Sequence, residues 1–168
     1  MTTVKIQRSQ YKAYLETSVF SFLHEVRKDP HMVAWRETTQ SWWDADSTKA
    51  TFVSSLAVVN ELSKGYFPSR NACLETVKTL PMLSVTQEVL DVAKFYVQHK
   101  VMPADPLGDA LHLAIASFYR CDFLVTWNCK HLANAKKFGH IRKMNHKLGL
   151  FVPSLVTPLE LSGEGLNE

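Results

Sequence analysis

The sequence predicts an α/β fold, a three-layer α/β/α sandwich with a central parallel sheet. Three observations lead there. Short runs rich in β-forming residues alternate with longer segments of helical periodicity from Ala13 to Pro158, the pattern of a parallel sheet with helices on both faces. No repeat, low-complexity block or linker divides the 168 residues, so one domain spanning 1–168 is expected. Hydrophobic residues make up 46% of the chain and charged residues 21%, enough to fill a core and unlike a disordered chain.

Ala13 to Thr17, within KAYLETSVF, is the first strand, and SVFSFLHEV after it starts a helix or loop. HMVAWRETTQSWWDADS sets Val33, Trp35, Trp42 and Trp43 at spacings that give a helix a broad apolar face. KATFVSS is a short second strand. LAVVNELSKG follows as a helix that Gly65 can terminate, and Pro68 opens the next, PSRNACLETVKTL. PMLSVT is the third strand. In QEVLDVAKFYVQHKV, residues Val89, Val92, Ala93, Tyr96 and Val97 recur on one helical face. Pro103, Pro106 and Gly108 make MPADPLGD a loop. DALHLAIASFYR is the clearest helix, and a very short connection leads from it into the fourth strand, CDFLVTW. CKHLANAKKFGHIRKMNHKLG reads as a basic helix, and LFVPSLVTP closes the sheet with one more strand.

Residues 1–23 carry Lys5, Arg8 and Lys12 without an uninterrupted apolar core of signal-peptide length, and no later run is long enough to span a membrane. A cytoplasmic protein without a membrane partner is therefore expected. Cys73, Cys121 and Cys129 are odd in number and lack a paired spacing, which suits reduced thiols. The net charge of +3 is unevenly spread. No Asp or Glu occurs from Phe123 to Leu159, where Lys130, Lys136, Lys137, Arg142, Lys143 and Lys147 gather with His131, His140 and His146. Such a flank suits a phosphate-rich polymer, although charges of this kind also solvate ordinary helix surfaces.

Glu16 ends the first strand, where a carboxylate lowers β-propensity and needs a partner if buried. In an α/β fold, however, that position faces the crevice where ligands bind. Asp109 opens a helix and Asn128 ends the fourth strand, so both can share this edge, while Glu61 would reach in from its helix. Each has an ordinary alternative: Asp109 complements a helix dipole, Glu61 is an exposed helix carboxylate, and Asn128 is a turn or cap residue. Gathered together, the carboxylates would raise one another's pKa, a cost that a hard divalent cation removes. Mg²⁺ and Mn²⁺ take oxygen ligands, and Mg²⁺ keeps several waters, which leaves room for a substrate phosphate. That is the donor set of metal-assisted phosphodiester hydrolysis.

The string DALHLAIASFYRCDFLVTWNCKHLANA, Asp109 to Ala135, resembles the corresponding segment of PIN-domain proteins, metal-dependent nucleases that include the VapC-type toxins of toxin-antitoxin pairs. YLETSVFSFL, VVNEL and PSLVTPLEL match in order, so the resemblance covers nearly the whole chain. It implies a PIN-like sandwich, a Mg²⁺- or Mn²⁺-dependent site, and cleavage of single-stranded or loop RNA by the toxin of a type II pair. By position, Glu16 is the first acid, Glu61 the second, Asp109 the third and Asn128 the variable fourth polar residue. These four are expected to be both catalytic and metal-ligating. Thr17 or Ser18 would touch a ligand water or the phosphate, and Asp105 is a reserve acid or cap.

The family's first acid is most often Asp, though a subgroup with YLET and a paired Trp resembles this chain in carrying Glu. The added methylene moves the carboxylate by roughly 1.5 Å, and misplacements of about 1 Å can cost on the order of 100-fold in rate. Either the site is rebuilt around the longer arm, or the chain is a catalytically weak PIN-like RNA- or partner-binding module.

Lys130, Lys136, Lys137, Arg142 and Lys143 would follow the RNA backbone, with Trp127 or Tyr119 offered for base stacking, although aromatic residues at such places are more often core. Trp35 and Trp42 share a helical face and Trp43 points about 100° away. One face is expected in the core, the other at a homodimer contact or in the groove for a small antitoxin. Two other classes are poorly supported. Cys121, Cys129, His131 and His112 match no common zinc spacing, and no glycine-rich phosphate loop follows the first strand.

Overall fold

The computed structural model describes residues 11–162; Lys5, Arg8 and the two ends of the 1–168 span lie outside the described residues. Five strands form one sheet, β1 (Lys12–Leu15), β2 (Thr51–Ser55), β3 (Met82–Leu83), β4 (Phe123–Val125) and β5 (Ser154–Val156). Their order is β3-β2-β1-β4-β5, and every pairing is parallel. β1 is central, with Ala13 opposite both Phe52 and Phe123. Ala13, Tyr14 and Leu15 are all buried, because a central strand of a parallel sheet is covered on both faces.

From β1 the chain steps to β2 through α1 (Thr17–Leu23) and α2 (Pro30–Asp46), then to β3 through α3 (Leu56–Ser63) and α4 (Arg70–Lys78). It returns across the sheet through α5 (Gln87–Gln98) and α6 (Asp109–Phe118) to β4, and through α7 (Ala135–Leu148) to β5. Right-handed crossovers put helices reached in opposite directions on opposite faces. Accordingly α1 packs with α2, α3 and α4, while α5 packs with α6, and Asn145 of α7 bonds Tyr96 of α5 and Ser117 of α6. Three layers result, as the sequence predicts. Every residue from Ala110 to Ser117 is buried, which explains why α6 has no polar face in sequence.

The reversal of direction leaves a switch point between β1 and β4, where ligands of open α/β sheets bind beyond the strands' carboxyl ends. Both Glu16 and the Thr126–Asn128 segment emerge there. The ladder stops one residue before Glu16, whose backbone N–H still donates to Val125 O at 3.2 Å.

Several elements differ from the sequence reading. β1 ends at Leu15 and Thr17 already opens α1. β4 ends at Val125, so Asn128 lies in the turn beyond it. α7 begins at Ala135, because Asn134 accepts Lys136 N–H and caps the helix there. β5 leads into a short helix, α8 (Pro158–Leu161), set by a Thr157–Glu160 capping box and packed on α2.

All three tryptophans of α2 are engaged inside the fold. Trp42 is buried and donates to Tyr11 Oη at 3.0 Å, Trp43 packs against Phe20 and Phe52, and Trp35 stacks on Trp127 at 4.5 Å. Trp42 is the tryptophan that enters the core, while Trp35 and Trp43 stay half-buried. Cys73, Cys121 and Cys129 are free thiols. No described helix is long and apolar enough to cross a membrane.

Candidate metal centre

Glu16 leaves β1 in extended conformation and is almost fully buried. A carboxylate in such a place needs donors, and two hydroxyls supply them. Ser18 Oγ donates to Glu16 Oε2 at 2.5 Å and Thr126 Oγ1 donates to the same oxygen at 2.6 Å. Those hydroxyls are fixed in turn by backbone groups of the β4 turn: Trp127 N–H donates to Ser18 Oγ at 2.8 Å and Asn128 N–H to Thr126 Oγ1 at 2.9 Å. Among the described residues Oε1 accepts no hydrogen bond. The longer arm of Glu is thus anchored by one oxygen.

Glu61 arrives from α3. Its Oε2 accepts the Thr17 hydroxyl, and its Oε1 lies 2.8 Å from His112 Nε2. His112 Nδ1 is 2.8 Å from Tyr14 Oη, which lies 2.8 Å from Ser55 Oγ. A chain of polar groups therefore runs from the core to the crevice. Candidate ligand atoms of Glu16, Glu61 and His112 lie within 4.8 Å of one another.

The electrostatics follow from this packing. Burial would press the His112 imidazole down, but the hydrogen bond and charge of Glu61, with the charges of Glu16 and Asp109, hold its pKa above the ordinary value. Burial pushes Glu61 up, and the His112 hydrogen bond and charge, the Thr17 hydroxyl and Lys64 outweigh it and hold the carboxyl below its usual range. The two directions describe one ion pair. Burial holds Tyr14 well above the ordinary phenol value, with the charges of Glu16 and Glu61 adding to it against the Ser55 hydrogen bond, so its hydroxyl keeps its proton.

Asp109 sits in the first turn of α6 and receives a hydrogen bond from Asn128 Nδ2 at 3.1 Å. It is close enough for its charge to act on His112, yet it is not one of the three converging groups. Asn128 Oδ1 accepts the N–H groups of Lys130 and His131 at 3.2 and 3.1 Å. It therefore shapes the turn as well as holding Asp109. Asp105 is a turn former, accepting Leu107 N–H at 2.9 Å.

The two expected stacking residues are not presented at the crevice. Trp127 is buried under Trp35 and Phe22, with Nε1 donating to Thr39 Oγ1 at 2.9 Å. Tyr119 lies at the sheet's amino edge, its carbonyl accepting Lys12 Nζ at 2.8 Å. Of the basic residues, Lys130, Lys136, Arg142 and Lys143 are exposed, while Lys137 Nζ reaches Val101 O at 3.2 Å. Helical rise sets Lys143 about 10 Å further along α7 than Lys136, with Lys130 and Lys136 towards the end that follows β4.

His112, weighed only in the zinc set, Tyr14 and Thr126 are the residues that sequence reasoning missed at this site. His112 and Tyr14 carried a signal. Asp109 and His112 are three apart on one helix and so share a face, and Tyr14 and Glu16 are two apart along an extended segment and so point the same way. The alternative zinc set does not form, since the cluster of His, Cys, Asp and Glu found among the described residues contains none of Cys121, Cys129 or His131. The carboxylate oxygens, open towards the crevice at Glu61 and at Glu16 Oε1, fit a hard divalent cation such as Mg²⁺ or Mn²⁺. No protein-family model, curated protein or solved structure matches the chain.

Proposed function

We propose that the chain is a Mg²⁺- or Mn²⁺-dependent endoribonuclease of single-stranded or loop RNA, acting as the toxin of a type II pair with a small antitoxin. One observation carries the reading: Glu16 and Glu61 converge with His112 within 4.8 Å at the edge where β1 and β4 part. The ordered resemblance to PIN-domain motifs supports the toxin role. Glu16 and Glu61 would hold the ion and Asp109 would complete the oxygen set, with Asn128 orienting it. Bound there, the ion supplies an activated water and stabilises the leaving oxygen. Ser18 and Thr126 fix the Glu16 carboxylate, and the exposed Lys130 and Lys136 neutralise phosphates along the flank.

The test is cleavage of a mixed single-stranded RNA pool with Mg²⁺ or Mn²⁺, beside EDTA and an identically purified Asp109→Ala protein. Metal-dependent cleavage lost in both controls is expected. A protein that binds metal and cuts nothing would instead be an RNA- or partner-binding module. The second reading is favoured by the position of Asp109, held by Asn128 outside the converging group.

A further inference from the structure

The three converging side chains do not stand equally open. His112 is 1% exposed and the Glu61 side chain 29%, so the imidazole lies behind the carboxylate as seen from the crevice. An ion that keeps waters and accepts a substrate phosphate needs the open side. Both imidazole nitrogens are already engaged, Nε2 with Glu61 Oε1 at 2.8 Å and Nδ1 with Tyr14 Oη at 2.8 Å. The Nε2 contact to a carboxylate oxygen requires a proton between the two atoms. A ligating Nε2 must be without one, so His112 cannot hold Glu61 and ligate an ion through the same nitrogen.

We infer that His112 is a positioning residue: anchored by Tyr14, it holds the Glu61 carboxylate from behind for a metal ion that His112 does not itself ligate. This rests on the metal-site reading above and adds the division of labour within it. Tyr14 suits the anchoring role because it is fully buried and its hydroxyl is fixed on the far side by Ser55 at 2.8 Å. Partners that orient ligand groups in this way typically contribute about 10- to 100-fold to metal affinity.

The experiment is calorimetric titration of Mn²⁺ and Mg²⁺ into the wild type, His112→Gln, His112→Leu and Tyr14→Phe, with thermal unfolding of each metal-free protein. The imidazole N–H signals of the wild type are followed by NMR as Mg²⁺ is added, which needs no variant to fold. Gln keeps a donor for Glu61 and offers no imidazole. His112→Gln should therefore retain most of the wild-type affinity, His112→Leu should lose about 10- to 100-fold, Tyr14→Phe should lose less, and the His112 Nε2–H signal should persist on loading. Loss of that signal with Mg²⁺, or equal weakening by Gln and Leu, would make His112 a ligand and overturn the inference. A His112→Leu protein with a lower unfolding midpoint but unchanged affinity would reduce the residue to a structural role and overturn it too. If the wild type binds neither ion, the metal-site reading fails first, an outcome distinct from all the others.

Discussion

Two polar networks in this fold differ in size and in charge. One joins α5, α6 and α7. Tyr96 Oη bonds Asn145 Oδ1 at 2.5 Å and Ser117 Oγ at 3.2 Å, while Asn145 Nδ2 donates to Ser117 Oγ at 3.0 Å and Phe151 O at 2.8 Å. All three residues are sealed from solvent. The other runs from Ser55 through Tyr14 and His112 to Glu61 and Thr17, with Glu16 beside it. It contains two carboxylates and opens at Glu61. A closed neutral network that satisfies itself fixes packing. A network that gathers two carboxylates around one imidazole at an open edge offers oxygen atoms that a bound cation would use. The comparison sets a closed network that holds the fold beside an open one that could take an ion.

The sharpest way to break it is Glu16→Gln. If Glu16 serves a ligand, Mn²⁺ affinity and RNA cleavage should fall by at least the roughly 100-fold that a 1 Å misplacement can cost. The metal-free unfolding midpoint should stay level, because Gln keeps an oxygen to accept the Ser18 and Thr126 hydroxyls. A lower midpoint with unchanged metal affinity would move Glu16 into the structural class. Glu16→Asp refines the point, since the shorter arm withdraws from the Ser18 and Thr126 hydroxyls; activity equal to Glu would show that the site is not built for the longer side chain.

Asn145→Ala tests the other side. It removes the Asn145 partner of the Tyr96 and Ser117 hydroxyls and of the Phe151 carbonyl and leaves the 3.2 Å Tyr96–Ser117 bond alone, and losses of this kind cost about 3 kcal/mol together. At about 2–4 °C per kcal/mol for a chain of this length, the midpoint should drop by roughly 6–12 °C with metal affinity unchanged. Adding metal joins the two tests. An ion at about 100 times its Kd stabilises by about 2.7 kcal/mol, so the midpoint should rise in wild type and in Asn145→Ala, but not in Glu16→Gln. A rise in Glu16→Gln as well would place the ion elsewhere.

The two networks were not equally legible. Glu16 could be read because a carboxylate at a strand end contradicts its local propensity; Asp109 and Asn128, read beside it, pair with each other outside the converging group. The alternation of strands and helices sufficed for the sheet and its layers. His112 was hidden because burial within an apolar helix makes a histidine look like core, and its partner Glu61 comes from a helix 51 residues away. Trp127, offered for stacking although an aromatic beside a strand end is more often core, proves to be core, covered by Trp35 and Phe22 from elements that sequence spacing does not bring together. Helix boundaries slipped where side-chain caps decide them, at Asn134 and Thr157.

The smallest expected effect concerns proton uptake by the neutral network. Burial pushes the Tyr96 phenol up to about 12, with the bonds to Ser117 and Asn145 acting the other way. In the unfolded chain the phenol returns to its ordinary value of 10.0. Between the two values the unfolded state releases a proton that the folded state retains, so stability is intact below pH 10 and declines as pH rises towards the folded value. Tyr11 and Tyr14 are raised as well, so the wild-type curve alone mixes several phenols. The difference between wild type and Tyr96→Phe, followed by urea unfolding, isolates the one in question. It should be flat from pH 6 to 9 and then change in favour of Phe by about 2 kcal/mol as pH approaches 12. A difference that stays flat throughout would mean that the Tyr96 hydroxyl titrates equally in both states. The α5–α6–α7 network would then be open to water, and burial without charge would no longer distinguish it from the crevice.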